Sequence, residues 1–193
     1  MIRTYALLLS ALAIPALAAD YNIDSAHTAA QFSVRHLMVS NVRGSFKKVA
    51  GKVVFDEANP SATVVQATID VSTVDTGEPA RDTHLKSPDF FDLAKYPTMT
   101  FVSRSASRTG QGLDVSGDLT LHGVTKPVVL HVSGMTPEIK DPWGMLRRGA
   151  TATTVINRQD FGLVWNKNLD GGGVVVGDEV TITLDIEAAR KPT

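Results

Sequence analysis

The chain has 193 residues, no cysteine, and 19 basic against 20 acidic side chains, a formal charge of −1. Without cysteine it can form no disulfide and do no thiol chemistry, and the near-balanced charge gives no electrostatic reason to expect nucleic acid or an anionic membrane as a partner. A chain of this size buries enough apolar surface to fold as one domain without staples.

Residues 1–18 read as a secretory signal. Arg3 supplies a short positive start, Tyr5 to Leu17 is an apolar run broken by Ser10 and Pro15, and Ala16-Leu17-Ala18 fits a small-x-small cleavage pattern. A transmembrane anchor needs about twenty apolar residues, and this run is shorter and ends at Asp20. The expected product is an exported domain covering 19–193.

That domain alternates apolar and polar residues with period two, the pattern of strands with one dry and one wet face. Ala30, Phe32 and Val34 alternate with Gln31, Ser33 and Arg35; Val42 to Lys48 carries Gly44 and Phe46; Gly51, Val53 and Phe55 form a third strand, ended by the loop residues Asp56 to Pro60. Val65, Ala67, Ile69 and Val71 make a fourth strand, and Met99 and Phe101 mark a fifth. Leu113 to Leu121 make a sixth and Val128, Leu130 and Val132 a seventh, with Thr125-Lys126-Pro127 as the tight connection between them. Ala150 to Ile156 and Val180 to Ile186 complete the set.

One interval breaks the rhythm. From Glu78 to Leu93 the pattern suits helix: Asp75 or Thr76 as cap, Pro79 in the first turn, Ala80, His84 and Leu85 at helical spacing, and Pro88 as the stop. Two long loops follow later, Pro137 to Arg148 with Trp143, and Asn166 to Gly173 with its three terminal glycines. No repeat or linker divides the chain. Eight or nine strands joined by short turns form an antiparallel meander, which loses its edges best by closing into a barrel; a sandwich is the competing arrangement.

Catalytic patterns are absent from the sequence. The closest of the five histidines, His27 with His36 and His122 with His131, lie nine apart, and an odd separation on one strand points side chains to opposite faces. There is no Gly-x-Ser-x-Gly elbow; Asp160-Phe161-Gly162 has no accompanying kinase motifs, and Gly171 to Gly173 lack the lysine of a phosphate loop. Phe32, Phe46, Phe55, Phe90, Phe91, Phe101, Phe161 and Trp165 are instead spread over strands and the helical insert, and by parity most belong inside. Small inward residues lie beside them: Ala30, Gly44, Gly51, Ala67, Gly117, Ala150 and Ala152. A barrel of eight strands either fills itself or holds one small ligand, and small groups on its inner wall favour an apolar cavity over a solid core.

Several segments together resemble the YceI-like family of polyisoprenoid-binding proteins. They are Asp24-Ser25-Ala26-His27, Phe32 to His36, Gly44-Ser45-Phe46, Arg81 to Leu85 with Ser87 to Asp92, Tyr96-Pro97, Gly117 to Thr125, and Asn157 to Leu163. The resemblance spans about Tyr21 to Glu187 and implies one lipocalin-like antiparallel β-barrel of about eight strands. It implies non-catalytic binding, and transport or storage, of a long-chain isoprenoid lipid (a polyprenyl compound or an isoprenoid quinone) in an apolar tunnel, usually in the bacterial periplasm. No catalytic residue, metal or required cofactor comes with it. The alternatives are a secreted enzyme acting on a lipid or quinone through His27, His36 or His84, and a structural protein with a solid core.

For the tunnel wall the expected residues are Phe32, Val34, Phe46, Phe90, Phe91, Met99, Phe101, Leu119 and Phe161, with Trp165 near the mouth. His36, Arg35 and Arg81 are the candidates to meet a polar head group, and each is also a candidate structural partner of Asp82, Asp89 or a backbone carbonyl. The insert Glu78 to Leu93 is the expected lid, with Phe90-Phe91 as its plug. Transient contact with a membrane or with lipid-handling proteins is the expected traffic, and both monomer and homodimer stay open.

Overall fold

The computed structural model describes residues 18–192; the signal-like leader up to residue 17 lies outside the described residues. Twelve strands and one α-helix follow in chain order: β1 (Ala19–Ile23), β2 (Ala29–His36), β3 (Ser40–Phe46), β4 (Val49–Phe55), β5 (Val64–Asp70), β6 (Val74–Asp75), α1 (Pro79–Lys86), β7 (Thr98–Arg108), β8 (Gly112–Leu121), β9 (Val124–Ser133), β10 (Ile139–Lys140), β11 (Leu146–Asn157) and β12 (Val176–Arg190). Eight of them close a ring, β1-β4-β5-β7-β8-β9-β11-β12 and back to β1, with every neighbour antiparallel. The fold is a lipocalin-like β-barrel with one short helix.

Closure falls to β12. One edge pairs β11 from Leu146↔Arg190 to Asn157↔Glu179, while the other pairs β1 at Ala188 and Ala189 and β2 from Val176 to Asp185. β2 and β3 are near-continuations of β1 and β4, and together they extend the wall as a hairpin arm. Alternation explains the inside. Along β8, Leu113, Val115, Gly117 and Leu121 are buried, while the residues between them are more exposed. The inward side chains gather into two clusters. One lies around Phe101, Leu113, Val115, Leu130 and Ala152, and the other around Phe46, Val49, Val74, Met99 and Leu121.

Several local readings need correction. Ala19–Ile23 is a strand with no counterpart in the reading above, because Asp20 and Asn22 take its wet face and leave only a short apolar set. Val71 leaves the fourth strand for a 3-10 turn in which the Asp70 carboxylate accepts from the Ser72 amide. The turn between β8 and β9 is His122-Gly123, and Pro127 sits inside β9. Proline is tolerated there because β9 pairs with β11 only through residues 131–133, so its missing N–H faces an unpaired edge. The helix is shorter than expected, ending at Lys86, and its cap is Glu78, whose carboxylate accepts from the Ala80 amide.

Candidate functional site

A cavity of about 420 Å³ runs inside the barrel. That volume lies within the range of small-molecule sites, roughly 300–1,000 Å³. Its wall is almost wholly apolar. Phe32, Val34, Phe46, Phe90, Phe91, Met99, Phe101, Leu119 and Trp165 line it, as does His36. Phe161 does not. It belongs to the 3-10 turn Arg158–Phe161 and is buried in the cluster with Leu121, Ile156 and Leu163, where β9 and β11 splay apart, without reaching the cavity. The wall also includes Ile182, Leu184 and Ile186 of β12 and Val128, Leu130 and Val132 of β9, whose alternation could have placed them there. Tyr21 and Arg148 line it too, and no sequence pattern pointed to them.

The small residues divide into two groups. Ala30, Ala67, Ala150 and Ala152 border the cavity, so their missing atoms leave it open. Gly44 and Gly117 instead make room for rings. A Cβ on Gly44 would lie 2.5 Å from Phe32, and one on Gly117 would lie 2.5 Å from Phe101. At Gly51 it would meet the Gln66 carbonyl oxygen at 2.1 Å.

One end of the cavity lies under α1 and the turns that follow it. The Phe91 ring meets Phe46 edge-on at 5.6 Å, and Phe46 in turn lies 5.7 Å from Phe32. Phe90, His84 and Trp165 form a second trio with centroids 5.0 to 5.2 Å apart. His84 Nε2 lies 2.8 Å from an Asp89 carboxylate oxygen, which fixes the ring's orientation. The helix is moored by Asp82, which accepts from the Thr76 amide and hydroxyl, and by Arg81, which donates to the Thr76 hydroxyl and carbonyl. Arg81 is thus held by Thr76, and Arg35 donates to the Met38 carbonyl at 2.8 Å. The His36 side chain has no hydrogen-bond partner among the described residues, leaving a ring nitrogen free at the cavity wall. Trp165 is framed by Arg158, which is buried and donates to the carbonyls of Leu163, Trp165, Val176 and Gly177.

Toward the opposite end Arg148 and Tyr21 line the cavity, while Arg147, of the opposite parity on β11, builds an ion-pair cluster on the outer face of the wall. Arg147 donates to Asp24 and Asp141 at 2.6 Å and to Glu187 at 2.5 Å. The Arg147 guanidinium, with His27 beside it, holds the Asp24 carboxyl down at about 2, and the Asp24 carboxylate raises the His27 pKa in return. Arg148 bridges Glu57 and Tyr21 and stacks over Phe55 at 5.1 Å; Tyr21 donates to Glu138, which also accepts from Arg190.

Asp24, His27 and Glu187 are the one group among the described residues with metal-ligand spacing. Their oxygens already serve Arg147, whose cation would have to leave for a metal to bind. The remaining histidines stand apart: His122 faces the Phe161 carbonyl and stacks on Tyr96, and His131 pairs with Asp114 on the surface. No two histidines meet among the described residues.

Comparison with known proteins gives the same picture. A family model for the YceI-like domain matches residues 21–188. The chain is 44% identical over 178 residues to Protein YceI of Escherichia coli, covering 91% of this chain and 90% of that one. Among solved structures it superimposes on BcnA of Burkholderia cenocepacia with a TM-score of 0.74 at 26% identity, over 86% of this chain and 98% of that chain. A polyisoprenoid binding domain from Saccharophagus degradans has the same fold, with a TM-score of 0.64 at 19% identity, over 89% of this chain and 98% of that one.

Proposed function

The chain belongs to the YceI-like family, and from that premise we propose that it binds a single long-chain isoprenoid lipid, a polyprenyl compound or an isoprenoid quinone, inside its barrel and carries it through the periplasm. The observation that carries this reading is the apolar bore itself, about 420 Å³ of space bounded by aromatic and aliphatic side chains. An isoprenoid chain offers almost no hydrogen-bonding groups, so water penalises it and an apolar wall does not. Burying each CH₂-sized group is worth about 0.8 kcal/mol, and much of the sum is offset by ordering a flexible chain. The wall therefore selects by length and width. His36 is the residue suited to a polar head, because its ring donates one hydrogen bond and no protein group claims it.

The test is to extract lipid from the purified protein and identify it by mass, alongside Ala152→Phe. Ala152 borders the bore within a packed cluster, so a phenyl ring there occupies ligand space at an overpacking cost of about 1–3 kcal/mol. A stoichiometric isoprenoid in the wild type that is lost from a folded Ala152→Phe protein supports the carrier. A protein that is bare and takes up no added lipid, or a variant that retains full cargo, refutes it.

A further inference from the structure

The hairpin of β2 and β3 extends the barrel wall beyond its last pairing with β6, with β2 backed by β12 as far as His36. Pairing between β3 and β6 stops at Ser45, and five residues of β3 lie between that point and Ser40, about 17 Å of strand. The arm ends in Leu37-Met38-Val39, which are 38%, 50% and 74% exposed. Leu37 and Met38 both take left-handed backbone angles, with φ of 49° and 60°. Glycine and asparagine are the residues that close such turns without strain, and two bulky apolar side chains in succession are the costly choice. The turn gives up ease of closure to present three apolar side chains to solvent.

The surroundings of the tip are basic. From Ser25 to Phe55 the sequence holds Arg35, Arg43, Lys47, Lys48 and Lys52 and no acidic residue. Lys47 and Lys48 are held by Asp75 and Asp70 near the rim, whereas Arg35 and Arg43, closer to the tip, have no carboxylate partner among the described residues. The loop beside the tip, anchored where the Leu37 amide donates to the Val175 carbonyl, contributes Lys167 and Asp170, which cancel; on the adjacent stretch of β12, Asp178 is taken by Arg158, which leaves Glu179 against Arg35 and Arg43. An apolar point collared by unpaired arginines matches the boundary between an acyl layer and anionic head groups. Arg35 and His36, directly beside the tip, line the cavity.

We propose that the Leu37–Val39 tip inserts into the surface of an anionic bilayer and sets the cavity mouth against the membrane, so that a lipid crosses between them with little exposure to water. The proposal rests on the carrier reading for its purpose, but its test does not depend on cargo. Vesicles of phosphatidylcholine, with and without phosphatidylglycerol, are sedimented with wild-type protein, Val39→Asp, and Arg43→Ala. None of the tip residues lines the cavity, and circular dichroism confirms the fold of each variant.

Wild-type protein is expected to pellet with the anionic vesicles. Val39→Asp weakens that binding at least tenfold. Arg43→Ala weakens it about fivefold on anionic vesicles, as one basic residue at such a surface requires, and leaves neutral vesicles unaffected. Equal pelleting of all three proteins, or none, overturns the proposal. So does a dimer seen by sedimentation without vesicles that Val39→Asp dissolves, since the tip then serves a second copy of the chain. Cargo without vesicle binding overturns the docking surface and leaves the carrier standing; tip-dependent binding by a permanently empty protein does the reverse.

Discussion

Two regions of this barrel are held together by different physics. At the end where β12 finishes, Arg147 gathers carboxylates from Asp24, Asp141 and Glu187, which arrive from separate parts of the chain. At the other end, α1 and the following turns lean on rings: Phe91 on Phe46, and Phe90 on His84 and Trp165. Charge-assisted hydrogen bonds are short and directional, so breaking one of several leaves the partners misaligned. Ring contacts are non-directional by comparison and can be exchanged for contact with another apolar surface, including a lipid. The charged cluster is therefore a fixed fastening on the outer face of the wall, whereas the ring contacts at the cavity's end are the exchangeable ones.

The sharpest break of that comparison is Phe91→Ala. Phe91 is only partly buried, so removing its ring should cost the lid about 2 kcal/mol, below the 3–5 typical of a core phenylalanine. Lipid release should then accelerate about thirtyfold, since 1.4 kcal/mol is a factor of ten. Exchange of a fluorescent polyprenyl probe measures it. An unchanged release rate would move the gate away from α1.

The barrel was legible because its signal is local and repeated. Each stretch such as Leu113–Leu121 declares its own dry face, and eight such faces have few ways to be satisfied together. The helix was legible for the same reason, through Pro79 and the helical spacing that follows it. The charged cluster was not, because Asp24, Asp141, Arg147 and Glu187 are adjacent only once β1, β11 and β12 have met. Phe161 misled because parity assigns a face but cannot see that β9 and β11 part company beside it. The arm's tip was hidden twice over. Nothing in Leu37-Met38 announces a left-handed turn, and a formal charge of −1 conceals a run of 31 residues that holds only cations.

In the charged cluster, Arg147→Met should lower the midpoint of thermal unfolding by several degrees, because three carboxylates are left facing one another without their cation. Its release rate for the same probe should match the wild type. Faster release from Arg147→Met than from Phe91→Ala would reverse the assignment of the two regions.

The smallest effect is set by pH and reads the charged cluster from within. Asp24 has its pKa depressed from 3.8 to about 2, chiefly by Arg147, so its contribution is complete above pH 4 and disappears as pH falls toward 2. His27 has its pKa raised above 6.5, chiefly by Asp24, so its contribution is complete below 6.5 and disappears as pH rises through the higher folded value. The two windows overlap between pH 4 and 6.5, where both groups are charged and paired. Asp24→Asn removes both contributions at once. The gap in melting temperature between wild type and Asp24→Asn should be widest in that interval and shrink on either side. A gap of constant width from pH 2 to 8 would mean that the carboxylate's charge plays no part in holding this cluster, and that its hydrogen bonds alone do so.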